Sequence, residues 1–254
     1  MRNLISANFS RLWKDKVFLC ILIFMTVGSF PITCLNCFGS AGYVENAAFG
    51  SIFISGILFA VFISFYIGAE YEHGAIRNKI VVGHSRKKIY FSSLFLCCAV
   101  SAALMIGMLV CSYIVGYLFF RQFLLSWKDQ LFVLLCCVLI AVTFSTIYTG
   151  IAMTIPNKYS VLVCSIVFIT LLGLAFLLYE QQHVMGELIT NPNYVGGMEK
   201  NIIEFLYDLL PTGQMASINE LELTRMHRWP LFSLLLCSVV SMVGYQVFKR
   251  KEIK

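Results

Sequence analysis

The sequence predicts an all-α membrane protein with six transmembrane helices and both termini in the cytoplasm, and two observations support this prediction. Of the 254 residues, 59% are hydrophobic and 13% are charged, whereas a soluble domain carries about 25% charged residues. Several stretches of about 20 residues contain no charge, and in hydrocarbon only a helix satisfies its own backbone hydrogen bonds over such a length. No repeat or linker divides the chain, so residues 1–254 are interpreted as one domain.

The six predicted spans are all free of charged residues and cover residues 17–38, 49–68, 92–120, 131–153, 159–179 and 230–248. With the N-terminus assigned to the cytoplasm, the inside segments hold 14 Lys and Arg and the outside segments hold 5. This bias follows the positive-inside rule and orients the chain. The net charge of +6 is therefore a signal of topology and does not indicate nucleic-acid binding.

Tryptophan and cysteine positions agree with this arrangement. Trp13, Trp127 and Trp229 each fall at a predicted membrane–water boundary, where an amphipathic indole is favoured. The ten cysteines lie in or at the ends of the spans and are interpreted as small buried hydrophobic residues. Cys34 and Cys37 lie near the outer end of the first span, where an oxidising compartment would permit a local disulfide.

Residues 1–16 are predicted to form a short amphipathic helix in the cytoplasmic membrane interface. Phe9, Leu12 and Trp13 fall on one face of such a helix, and Arg11 falls on the other. The alternative interpretation is a basic flank without an apolar face.

The most charged connection, residues 69–88, is predicted to lie inside the cell between the second and third spans. Its middle, residues 71–80, is expected to form one short helix that carries acids and bases, with Gly74 allowing close backbone approach. Gly83 is expected to end this helix, and Ser85 is expected to cap the helix of the third span. A projecting charged helix suits docking on a cytoplasmic partner; the alternative is a solvated loop that obeys the positive-inside rule.

The other connections are short, apart from one. A Gly/Ala loop is expected over residues 39–48, and a tight turn at Pro156 ends the fourth span. In the long outside segment, residues 180–229, apolar residues recur at helical spacing over residues 199–210, and Pro211 then breaks the helix. This helix is too short to cross a bilayer, so its apolar face must be covered by the outer leaflet or by other spans.

The sequence contains no energy source and no catalytic motif. It lacks a Gly-x-x-x-x-Gly-Lys-Ser/Thr loop for nucleotide phosphates. No Asp, Glu, Lys, Arg or His lies in the middle of a span, where proton- or sodium-coupled carriers place such residues. The four histidines lack metal-ligand spacing, so no catalytic residue, metal or cofactor is predicted for this chain. A hydroxyl-rich part of the fourth span either lines a polar path or holds helices together; its residues are Thr143, Ser145, Thr146, Tyr148 and Thr149.

Two motifs resemble those of the type-2 ABC transporter permeases, six-span membrane subunits that pair with separate ATPase chains. The first is made of the segments Gly68-Ala-Glu70-Tyr71, Gly74-Ala-Ile-Arg77-Asn-Lys79 and Gly83-His-Ser85-Arg86, and the second is Leu210-Pro211-Thr212-Gly213-Gln214. The layout also agrees over nearly the whole chain, with an amphipathic leader, six spans and outer helices before the sixth. Ala75 is a departure, since many members carry Thr there.

The resemblance implies the permease subunit of an ATP-driven exporter in a bacterial plasma membrane. The implied partners are two cytoplasmic ATPase subunits, which would bind ATP and Mg, and a second permease subunit, identical or homologous. Small bacterial members export peptides, including antimicrobial peptides and toxins, or confer resistance to them, so an amphipathic or hydrophobic peptide is the implied cargo. The implied ATPase-coupling residues are Glu70, Tyr71, Glu72, Gly74, Arg77, Lys79, Gly83 and Arg86.

Two other classes of protein remain open. One is a gradient-driven carrier or channel that works without an ATPase, and the other is a membrane-embedded enzyme or scaffold. Transport by the purified chain in liposomes without ATP would identify the first class. Turnover of a lipid or peptide by the chain alone would identify an enzyme.

Overall fold

The computed structural model describes residues 9–10, 12, 16–39, 42–155, 157–182 and 198–251. All regular secondary structure in these residues is helical. Six of the segments are long and apolar enough to cross a membrane, as predicted for a multi-pass membrane protein.

The long helices are α1 (Lys16–Gly39), α3 (Ile52–Glu72), α5 (Arg86–Phe120), α6 (Trp127–Thr154), α7 (Asn157–Gln182) and α10 (Trp229–Arg250). The short helices are α2 (Val44–Phe49), α4 (Ala75–Val81), α8 (Met198–Leu209), α9 (Pro211–Asn219) and a 3-10 turn, Met226–Arg228. The long helices contain the predicted spans and extend beyond most of their ends. Only α3 starts later than predicted, because residues 44–49 form a helix of their own.

Helix α6 occupies the centre of the bundle. It packs against α3, α5, α7 and α10, while α1 packs on α5 and α7 packs on α3. Helices α7 and α10 bury the smallest share of their residues among the six spans, and much of their apolar surface is exposed. An apolar outer surface on a bundle of this kind is what hydrocarbon requires.

Helices α6 and α10 approach each other closely at two glycines. A Cβ added at Gly244 would lie 3.2 Å from the Cα of Gly150 and 2.3 Å from the phenol oxygen of Tyr90 on α5. Small residues allow this approach, as is common where membrane helices pack without a hydrophobic driving force.

The predicted Gly/Ala loop over residues 39–48 was wrong in its second half, where α2 is helical. The cause is a buried carboxylate: Glu45 is inaccessible to solvent and accepts hydrogen bonds from Leu124 N at 3.0 Å, Leu125 N at 3.1 Å and Gln130 Nε2 at 3.0 Å. These bonds hold α2 against the connection between α5 and α6. A long-range contact of this kind leaves no periodic signal in a short segment.

Two of the tryptophans are described, and they occupy different environments. Trp127 is exposed at the start of α6, as expected at a membrane boundary. Trp229 is buried at the start of α10, and its indole N–H donates to Asp208 Oδ1 at 3.4 Å, so it anchors α8 and does not face lipid. Trp13 lies outside the described residues.

Helix α8 lies where the sequence predicts a short helix before Pro211. Pro211 ends it and also begins α9, where its missing N–H is unimportant. The apolar residues Ile202, Phe205 and Leu206 are exposed, while Asp208 is buried. This orientation favours the lipid leaflet over the other spans as the cover for the apolar face.

The ten cysteines are all free thiols within the long helices. Four of them are fully buried, as expected of small hydrophobic residues: Cys97, Cys136, Cys137 and Cys164. Cys34 and Cys37 are half-buried on α1 and are not bonded to each other.

Candidate functional site

The connection between α3 and α5 defines what we call the basic end of the bundle, and the opposite end is called the distal end. Helix α3 continues to Glu72, so the expectation of one helix over residues 71–80 was wrong. The chain turns at Gly74, whose φ of +62° suits glycine. A Cβ at Gly74 would meet nothing within 4 Å, so the glycine is needed for backbone conformation and not for close approach.

The second half of the connection agrees with the prediction. Gly83 has a φ of +93° and donates its N–H to Ile80 O at 2.9 Å, which closes the end of α4. Ser85 begins α5, and its hydroxyl oxygen accepts from Lys88 N at 3.4 Å. Local turn chemistry therefore fixes both ends of this segment.

Glu70 holds α4 to the bundle. Its side chain is fully buried in the last turns of α3, and Oε1 lies 2.7 Å from Lys79 Nζ on α4. Oε2 accepts from Ser93 Oγ on α5 at 3.4 Å. A buried carboxylate is costly unless it is paired, and these two contacts pair Glu70 while linking three helices. They also remove Glu70 from any surface that another protein could reach.

A second set of contacts joins helix ends at the carbonyl oxygen of Met153, in the last turn of α6. Tyr71 Oη donates to this oxygen at 2.7 Å, and Lys251 Nζ donates to it at 3.1 Å. The Lys251 ammonium also lies 4.4 Å from the centre of the Tyr71 ring, a cation–π contact. Burial lowers the pKa of Lys251 from its usual value. We call these three residues the carbonyl hub.

Arg86 joins the start of α5 to the end of α10. Its Nη1 donates to Lys249 O at 2.7 Å and to Lys251 O at 2.8 Å. The last carbonyls of a helix have no partner within the helix and carry its negative dipole end, so a guanidinium is well suited to them. Arg86 and the carbonyl hub together connect α3, α5, α6 and α10 at the basic end.

One face of α4 points away from the bundle. Arg77, Asn78, Val81 and Val82 are exposed, with Val81 at 78% and Val82 at 76%. The opposite face carries Ile76, which is buried. Two exposed valines on a helix beyond the predicted spans form an apolar surface that lacks a cover from the described part of the chain. We call Arg77, Asn78, Val81 and Val82 the α4 face.

The sequence-based candidates therefore separate into two groups. Glu70, Tyr71, Lys79 and Arg86 form contacts inside the chain, whereas Glu72 and Arg77 are exposed. Sequence reasoning missed Ser93, Val81, Val82, Met153 and Lys251. The adjacent apolar pair at the end of a charged connection was a signal for the valines, but no local signal marked the others.

The Leu-Pro-Thr-Gly-Gln segment forms a corner at the distal end. The hydroxyl of Thr212 donates to Leu171 O on α7 at 2.8 Å. A Cβ at Gly213 would lie 2.2 Å from Tyr207 O, so only glycine fits there. Burial raises the pKa of Tyr207 to about 12.

Gln214 completes this corner. Its Nε2 donates to Asp208 O at 2.7 Å, and its Oε1 accepts from Ser233 Oγ on α10 at 3.1 Å. The segment therefore joins α8 and α9 to the spanning helices α7 and α10. Packing at the distal end therefore explains why these residue types occur in this segment.

The hydroxyl-rich part of α6 is buried in helix contacts. Thr143 and Thr146 donate to carbonyls of their own helix, Leu139 O and Thr143 O, at 2.8 and 2.7 Å. The thiol of Cys237 on α10 donates to Thr143 Oγ1 at 3.4 Å, whereas the buried hydroxyls of Ser145 and Thr149 have no hydrogen-bond partner among the described residues. These contacts match the expectation that the hydroxyls hold helices together.

Only part of the predicted leader helix is described. Phe9 is exposed and helical, and Leu12 is helical and buried against the core of the bundle. Arg11 and Trp13 lie outside the described residues. These two residues were predicted on one face of the leader, but they differ in environment: Leu12 packs on the bundle and Phe9 does not.

Comparisons with known proteins add no further assignment. No protein-family model matches this chain, and no curated protein matches its sequence. The function of this chain is therefore inferred from its own residues and contacts.

Proposed function

We propose that this chain is the membrane-spanning permease subunit of an ATP-driven ABC exporter. The α4 face supports this proposal most directly: it places two valines, an amide and a cation on one side of a helix beyond the spans. A cytoplasmic ATPase with an apolar groove and acidic rim has the chemistry to bind this face. In this proposal the basic end and both termini lie in the cytoplasm, as the positive-inside bias predicts.

The contacts behind the α4 face suit the transmission of a push from an ATPase. The ion pair between Glu70 and Lys79 ties α4 to α3, so movement of α4 carries the end of α3 with it. Tyr71, one residue on, belongs to the carbonyl hub and thereby reaches α6 and α10. Glu70, Tyr71, Lys79 and Arg86 are positioning residues in this proposal, and the α4 face makes the contact.

The remaining parts of the proposal come from the resemblance to type-2 ABC permeases. Two ATPase subunits would bind ATP and Mg, and a second permease subunit, identical or homologous, would complete the path. The cargo class is an amphipathic or hydrophobic peptide, exported across a bacterial plasma membrane. No catalytic residue is assigned to this chain.

The test is co-expression with an ABC ATPase encoded beside its gene, followed by reconstitution into liposomes. We expect the two proteins to co-purify and to move a fluorescent amphipathic peptide only when ATP is present. Val81→Asp should weaken the complex about tenfold or more, because it places a charge in an apolar contact. Thr224→Asp, an exposed position at the distal end, is the matched control and should leave binding unchanged.

The same experiment separates the other classes. Peptide flux from the chain alone, without an ATPase or ATP, would indicate a gradient-driven carrier or channel. Chemical conversion of a lipid or peptide would indicate an enzyme. Unchanged ATPase binding in the Val81→Asp variant would contradict the assignment of the α4 face.

A further inference from the structure

An apolar cavity opens sideways between α5 and α6 near the distal end. Its volume is about 430 Å³, within the range of ligand sites in proteins. Its lining includes Phe49, Val110, Ile114, Trp127, Gln130 and Leu134. Val110, Ile114 and Trp127 are also exposed, so the mouth opens on the surface that faces hydrocarbon.

Gln130 carries the one amide side chain of this lining, beside the phenol of Tyr113 and the indole of Trp127, and its amide hydrogens are already used. Its Nε2 donates to Glu45 Oε1 at 3.0 Å and to Leu125 O at 3.2 Å. The Glu45 carboxylate is saturated in turn by the backbone N–H groups of Leu124 and Leu125. A ligand in this cavity would therefore find no free amide hydrogen on Gln130, and the rest of the exposed lining is almost entirely apolar, which favours a hydrocarbon occupant.

The cavity is long enough to hold about two thirds of a lipid tail. Its α6 lining runs from Trp127 to Leu134, about 10 Å along the helix axis. One leaflet of the hydrocarbon core is about 15 Å deep. Two exposed cations, Arg121 and Lys128, lie within two residues of the lining residues Phe123 and Trp127, at the end of the cavity where a lipid phosphate would be expected. A peptide is a poorer fit, since its backbone N–H and C=O groups would stay unpaired in such a lining.

We propose that this cavity holds one acyl chain of a phospholipid from the leaflet at the distal end. This acyl chain fills a space in which the lining residues would otherwise lack dispersion contacts. It lies against Phe49 of α2 and Gln130 of α6, the two sides of the Glu45 contact, and so supports the packing of α2 on the bundle. This inference is independent of the ATPase and of the cargo.

The test uses the full chain in nanodiscs of phosphatidylglycerol and phosphatidylcholine. A small fraction of the lipid carries a diazirine on its acyl chain, and peptide mass spectrometry locates the adducts after irradiation. We expect adducts to concentrate on the cavity residues relative to the exposed face of α10. Val110→Trp should lower cavity labelling about tenfold, because an indole takes the space that the chain needs.

Val239→Trp is the matched control. Val239 is 52% exposed on α10 and Val110 is 48% exposed, so both variants add an indole to a lipid-facing valine. Val239→Trp should leave cavity labelling unchanged. Ile114→Trp is a second variant that fills the cavity. Thermal unfolding of each variant tests whether it is folded.

Three outcomes would overturn the proposal. Equal labelling of the cavity and of the α10 face would mean annular lipid only. Unchanged cavity labelling in both Val110→Trp and Ile114→Trp would mean that the acyl chain lies outside the cavity. Exclusion of the lipid by an added amphipathic peptide that cross-links to the cavity would identify a peptide site instead.

Discussion

Lys79 Nζ lies 2.7 Å from Oε1 of Glu70, and this ion pair joins the short helix α4 to the spanning helix α3. Glu70 is fully buried, while the Lys79 side chain is 16% exposed. Removing the cation of Lys79 should therefore change the stability of the chain differently from removing the carboxylate of Glu70.

Lys79→Met should destabilise the chain more than Glu70→Gln. The first variant leaves a buried carboxylate without its cation, a loss of about 3 to 5 kcal/mol. In the second, Lys79 keeps some access to water. The Glu70→Gln/Lys79→Met double variant should recover much of the loss, and unfolding in detergent micelles measures all three. A double variant as unstable as Lys79→Met would contradict this account.

Gly213→Ala should disrupt the corner at the distal end. The added Cβ would lie 2.2 Å from Tyr207 O, a backbone atom that cannot move away easily, so we expect a loss of about 3 kcal/mol or more. Gly173→Ala on α7 is the control, because its Cβ meets nothing within 4 Å. That variant should be neutral or gain up to about 1 kcal/mol from helix propensity. Similar melting temperatures for the two variants would be inconsistent with the crowding at Gly213.

Gly244→Ala should separate α6 from α10, with a loss of about 1 to 3 kcal/mol from overpacking. Tyr90→Phe should partly rescue it, since the clash of 2.3 Å is with the phenol oxygen. Among the described residues this buried oxygen has no hydrogen-bond partner, so Tyr90→Phe alone should be close to neutral. Thermal unfolding of the wild type, the two single variants and the double variant gives the coupling free energy between Gly244 and Tyr90. Additive effects in the double variant would show that Tyr90 does not limit the crossing.

Asp208 should make stability decrease as pH rises. Burial raises its pKa above the usual value, and this outweighs the lowering by Arg225, whose Nε lies 3.7 Å away. A raised folded-state pKa gives stability that is complete below the unfolded pKa of about 3.9 and is lost as pH rises through the folded-state value. The stability of the wild-type chain relative to Asp208→Asn should therefore fall from pH 4 upward. The opposite slope in urea titrations would mean that the contact with Arg225 dominates.

The predicted coupling region shows how far local reasoning extends. The turn at Gly83 and the cap at Ser85 were predicted because each depends on residues within a few positions in sequence. The break at Gly74 was missed, since Glu70, Tyr71 and Glu72 continue the helical pattern of the span. The same pattern did not reveal that Glu70 is buried and Arg77 is exposed. That difference depends on a cation nine residues away and on the neighbouring helix α5.

By itself, the sequence determined the number and positions of the long apolar helices, because hydrocarbon admits only stretches that lack charges and satisfy their own backbone. It also determined where glycine, serine and proline end or begin helices. Only the tertiary structure decided which polar groups act inside the chain. Tyr71 meets Met153, Glu45 meets Leu124 and Gln214 meets Ser233 across helices, and these pairings depend on packing geometry that composition and periodicity do not encode.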